Sequence, residues 1–151
     1  MKVEVSDGDL VDKYTIVKIK SERVKDESKL TNINNELVYQ QEILEKMNVS
    51  EQLVTDLYNI NCIIWEIEDK IRKKEKEQEF DERFIHLARS GYIKNDKRAG
   101  IKKKIKLETN STLVEEKDYV QYESNRNGWC RVHWIKHRRS FGWDGMGSHC
   151  N

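Results

Sequence analysis

Proline is absent from this chain of 151 residues, and cysteine occurs only at positions 62, 130 and 150. Without proline, no rigid linker or proline-marked turn interrupts the backbone, so helices can run long. Three scattered cysteines do not make a disulfide framework. No apolar run approaches the ~20 residues that a membrane span needs, and the opening MKVEVSDGDLVDKY lacks the apolar stretch of a signal peptide. A cytoplasmic protein is therefore expected. The seven glycines form neither GxGxxG nor GxxxxGK(S/T), so no phosphate-cradling loop is visible. A dominant charge sign is missing as well. With 28 basic and 27 acidic residues the formal charge is +1, and no global field selects nucleic acid or an anionic membrane.

Charge of both signs is abundant, at 36% of residues against a usual ~25%. That balance fits long solvated helices better than a thick globule. Ser6 and Asp9 make a helix-start signal, and Leu10, Tyr14, Val17 and Val24, widened by Val11 and Ile19, give a stripe for a helix over about 7–25. A second helix is predicted over 28–47, from Leu30, Ile33, Leu37, Leu44 and Met47. The third is the clearest. Leu53, Leu57, Ile60, Ile64, Ile67 and Ile71 are spaced 4, 3, 4, 3, 4, an a/d seam. Beyond a charged run, Phe80, Phe84, Leu87 and Ala88 start a further segment, interrupted at Gly91 or Asn95. A last helix is then expected, capped by Asn95 or Asp96.

The expected fold is all-α. Helices two and three form a long antiparallel, coiled-coil-like hairpin, with N- and C-terminal helices alongside. If they fold back at 48–50, facing residue numbers sum to about 100. Gln40 then meets Asn61, and an amide contact between them would fix the register. Composition divides the chain into a helical domain over 1–120 and a tail over 121–151 that is disordered or loosely docked. The tail holds five Lys/Arg against two Asp/Glu and four of the seven glycines.

Four segments carry a resemblance: KVEVSDGDLVDKYTIVKIKSERVKD, LYNINCIIWEIEDKIRKKE, FDERFIHLARSGYIKNDKRAGIKKKI and STLVEEKDY. They resemble a family of short bacterial and phage proteins known only as a domain of unknown function, across about residues 2–120. The resemblance implies a small all-helical protein, and a setting near sugar-transferase and surface-polysaccharide functions. Gly91 stands where the family more often has Val, and Gly100 where it more often has Ala. Each should weaken a helix by up to ~1 kcal/mol.

Candidate site residues come from polar groups in those segments. Glu66 and Asp69, three apart on helix three, together with Asp96, are the candidates for acid–base work or for holding Mg²⁺. Arg23, Arg89, Arg98 and Asn95 are candidates for holding an anionic ligand. A solvated face laced with ion pairs is the plainer reading of the same charges. In the tail, Cys130, His133 and His137 are spaced i, i+3, i+7 and are the candidate metal ligands, with His149 or Cys150 as a fourth. Trp129, Trp134 and Trp143, interleaved with Arg131, Lys136, Arg138 and Arg139, are the one feature suited to weak nucleic-acid or membrane-surface contact. No cofactor is expected. The leading functional expectation is a non-enzymatic, self-associating helical interaction protein with a homo-oligomeric or other protein partner. The alternative is a binder or enzyme for a phosphorylated or nucleotide-linked sugar. Whether the chain is an enzyme stays open.

Overall fold

A computed structural model describes residues 4–113, 116–124 and 130–131. The chain divides into two compact units, the first ending at Glu116 and the second starting at Lys117. Four helices make the first unit: α1 (Asp7–Arg23), α2 (Glu27–Leu44), α3 (Glu51–Glu77) and α4 (Glu82–Glu108). In the second unit, β1 (Glu123–Ser124) and β2 (Cys130–Arg131) pair antiparallel.

Local chemistry accounts for the helix ends. Ser6 caps α1 by accepting from the Asp9 N–H at 3.3 Å, and its hydroxyl donates to the Asp9 carboxylate. The N-cap half of a capping box, the Ser6 side chain on the Asp9 N–H, is thus present, while the Asp9 carboxylate meets the Ser6 hydroxyl and not its backbone N–H. Asp26 caps α2, accepting from the N–H groups of Ser28 (3.0 Å) and Lys29 (3.3 Å). Asp81 caps α4 through the Phe84 N–H at 2.9 Å. Lys74 clamps the intervening turn, with Nζ 2.7 Å from Asp81 and 2.5 Å from Glu79. The Lys74 ammonium and the Phe84 N–H hold the Asp81 carboxyl below the usual carboxylate range. Asp81 and Glu79 in turn raise the Lys74 ammonium. Gln78 ends α3 in the left-handed region, at φ 55°.

An antiparallel hairpin is present, but its arms are α3 and α4, not helices two and three. Ser50 meets Glu108, its N–H at 2.9 Å and its hydroxyl at 3.2 Å from the carboxylate. Ile67 meets Gly91. Facing residue numbers therefore sum to 158. Each arm has 27 residues, or about 40 Å of helix. The expected seam of α3 is used: Leu57, Ile60 and Ile67 are buried, and Leu53, Ile64 and Ile71 are half-buried.

α2 instead folds back onto α1 across the short turn at 24–26, where Lys13 pairs with Glu36 at 3.0 Å. Its backbone does not come beside α3. The Gln40–Asn61 contact is accordingly absent. Gln40 donates to Glu36 at 3.1 Å within α2, and its buried Oε1 has no partner. α1 is the central helix, packed against all three others. Val11, Thr15, Val17 and Ile19 are almost fully buried, and Val11 joins Leu57, Ile60 and Ile105 in the core cluster.

The two short segments expected between 80 and 108 are one continuous helix. Gly91 lies inside it, as do Asn95 and Asp96, so neither of the latter is a cap. A Cβ added at Gly91 would lie 3.9 Å from Ile67 Cγ2, and one at Gly100 would meet nothing within 4 Å. Both sites therefore have room for alanine. Gly91→Ala and Gly100→Ala should each raise the free energy of unfolding by about 0.5–1 kcal/mol. Urea denaturation at unchanged slope is the check, and a lowered midpoint for Gly100→Ala would contradict the open space around it.

Candidate functional site

Where α1 crosses the α3–α4 hairpin, the interior is polar. Asp12 of α1 is 5% exposed, yet it is fully partnered. Arg98 of α4 grips both carboxylate oxygens, Nε to Oδ1 at 2.9 Å and Nη2 to Oδ2 at 2.6 Å. This is the bidentate fork that a guanidinium makes and an ammonium cannot. Asn61 of α3 donates from Nδ2 to Asp12 Oδ1 and to Thr15 Oγ1, both at 2.9 Å. The Thr15 hydroxyl is spent on the Asp12 carbonyl at 2.8 Å.

One turn along, the cluster continues. Lys102 Nζ lies 2.5 Å from Asp9 and 3.9 Å from Asp12, and Lys106 Nζ lies 3.7 Å from Asp9. Burial pushes the Asp9 carboxyl up, but the bonds from Lys102 and Ser6 outweigh it and leave Asp9 below the usual carboxylate range. Three cations thus surround two carboxylates at the junction of three helices.

Beside this network lies a cleft of about 310 Å³. Ile16 and Ile19 of α1, Ile64 and Trp65 of α3 and Arg98 of α4 line it, and Asn61, the buried polar residue of the lining, marks its floor. Glu68, Asp69 and Arg72 stand at the mouth, where Arg72 pairs with Glu68 at 3.3 Å.

Residues 1–128 match a protein family whose description is "Family of unknown function (DUF6165)". The chain belongs to this family. No curated protein and no solved structure matches it. The match covers all of α1–α4 and continues past residue 120.

In this DUF6165 protein, the site residues named from sequence are distributed as follows. Arg98 and Asp69 line the cleft. Glu66 is exposed and pairs with Arg23 at 3.5 Å. Asn95 accepts from Arg98 Nη1 at 3.4 Å. Asp96 is exposed and Arg89 half-buried, both on α4. None of these five, Glu66, Arg23, Asn95, Asp96 and Arg89, is among the residues that line the cleft. His133 and His137 lie outside the described residues, and Cys130 is described only as part of β2. Among the described residues, no His, Cys, Asp and Glu side chains group as a metal site, and no helix is long and apolar enough to cross a membrane.

The sequence marks Asp9 only as a helix-start residue, singles out neither Lys102 nor Lys106, and places Asn61 only in a register contact. A signal was available for Asn61, because it interrupts the apolar face of α3 between Leu57 and Ile64. Such a residue is either satisfied by a partner or costly.

Proposed function

We propose that this DUF6165 member is a helical interaction protein that pairs with a second copy of itself along α4. The observation that carries this reading is a second heptad column on that helix. The first column, Phe84, Leu87, Gly91, Lys94, Arg98, Ile101 and Ile105, is the one that register turns toward α3. The next is Ile85, Ala88, Tyr92, Asn95, Ala99, Lys102 and Lys106, spaced 3, 4, 3, 4, 3, 4. Its C-terminal end meets α1, where Lys102 and Lys106 reach Asp9. Its N-terminal end keeps exposed surface, with Ile85 55% and Tyr92 43% exposed and Ala88 exposed between them.

Two side-by-side a/d columns on one helix are what a helix needs to meet two neighbours. In a two-fold antiparallel pairing, Ile85 of one copy would face Tyr92 of the other, with the small Ala88 letting the backbones approach. On the resemblance alone, such a module would stand beside sugar-transfer and surface-polysaccharide functions. Sedimentation of the full chain should show a dimer at high micromolar concentration. Ile85→Glu should shift it to a monomer with unchanged helix content. A parent chain that stays monomeric there defeats the reading.

A further inference from the structure

We propose that the cleft between α1, α3 and α4 binds a small arylalkyl cation that carries a hydrogen-bond donor at the end remote from its charge. The first support is Asn61, which lines the cleft and is 95% buried, its exposure being 5%. Chemistry fixes the orientation of its amide. Asp12 Oδ1 can only accept, and Thr15 has already given its proton to the Asp12 carbonyl, so both must face Nδ2. No donor among the described residues reaches Asn61 Oδ1. The floor of the cleft therefore offers an acceptor.

Charge supplies the second support. The Arg98 fork is engaged on both oxygens of Asp12, and Arg72 is paired with Glu68. No cation of the described residues pairs with Asp69, so the mouth holds two carboxylates, Glu68 and Asp69, to one guanidinium. Such a cleft is poorly suited to a phosphate or a carboxylate and well suited to an ammonium group at the mouth.

Shape supplies the third. Asn61, Trp65, Glu68 and Arg72 are spaced i, i+4, i+7, i+11 and form one column of α3, graded from amide through indole to charge. From Asn61 to Asp69 the helix rises about 12 Å. Between its ends lie Trp65 and three isoleucines, an apolar and aromatic middle for a ring to stack on. At 310 Å³ the cleft is at the small end of ligand sites, which run from about 300 to 1,000 Å³, and suits a single ring with a short chain.

Tyramine has this pattern: a phenol O–H, a ring, and an ammonium on two carbons. The full chain would be titrated with tyramine, with phenethylamine, which lacks the hydroxyl, and with 4-hydroxyphenylacetate, which reverses the charge. The readout is the indole N–H resonance of Trp65, identified by its loss in Trp65→Phe. Tyramine should move this resonance saturably. Phenethylamine should bind about fivefold more weakly for want of the bond to Asn61, and the acid at least about tenfold more weakly. Asp69→Asn should narrow the gap between amine and acid by about two- to fivefold, the range of an exposed ion pair. Failure of tyramine to move the Trp65 resonance would overturn the proposal. Equal binding of tyramine and phenethylamine would overturn it too, since the donor bonded to Asn61 is part of the proposal. Tighter binding of the acid would show that Arg98 governs the cleft and would overturn it as well.

Discussion

Asp12→Ala should destabilise the fold by about 3–5 kcal/mol, the usual cost of removing one partner from a buried charge pair. The carboxylate is 7% exposed and has Arg98 and Asn61 bonded to it, with Lys102 at 3.9 Å. Without it, three cations face Asp9 alone, and the Asn61 amide keeps only Thr15. Asp12→Asn should cost less, about 1–3 kcal/mol, because its carbonyl still accepts from Asn61. Replacing the pair together, Asp12→Leu with Arg98→Met, should recover most of the loss, since apolar residues of similar size commonly substitute for buried ion pairs without penalty. Urea unfolding of the four proteins decides this. An Asp12→Ala variant within about 1 kcal/mol of the parent would show that the network adds little net stability.

The same network explains which parts of the fold were legible in the sequence. The seam of α3 was readable because all six seam positions, from Leu53 to Ile71, are apolar. The facing column of α4 was not, although its spacing is just as regular. Gly91, Lys94 and Arg98 fill its middle, so an apolar period breaks there and one helix reads as two. Arg98 has a physical reason to be present, because it grips Asp12, and Gly91 faces Ile67 with room to spare.

The choice of hairpin partner was misread for a related reason. Summing α2 against α3 to about 100 pairs apolar with apolar, but summing α3 against α4 to 158 pairs Leu53 with Ile105, Leu57 with Ile101 and Ile71 with Leu87. Periodicity alone cannot rank two such registers. Burial of α1 decides between them, because a central helix with Val11, Thr15, Val17 and Ile19 almost fully buried needs neighbours on several sides. The candidate site follows the same pattern. Arg98 and Asp69 were named as polar groups in the right segments. Their shared cleft, and the role of Asn61 in it, depend on the α1 crossing that no single helix encodes.

Gly8→Ala should lower stability by about 2 kcal/mol, although alanine is the better helix former. A Cβ at Gly8 would lie 2.6 Å from the carbonyl oxygen of Lys102 and 3.1 Å from Cγ and Cε of Lys106. No rotamer change relieves contact with a backbone atom, so α1 and α4 would have to separate. That separation would stretch the bond from Lys102 to Asp9 and the fork from Arg98 to Asp12. The substitution that should stabilise at Gly100, where nothing lies within 4 Å, is thus expected to destabilise at Gly8. A double-mutant cycle with Lys106→Ala separates the two obstacles. If the Lys102 carbonyl is the obstacle, shortening Lys106 does not help, and the coupling energy stays below about 0.5 kcal/mol. If the Lys106 stem is the obstacle, Lys106→Ala should rescue Gly8→Ala by about 1 kcal/mol or more, and the close approach of the two backbones would not be what requires glycine there.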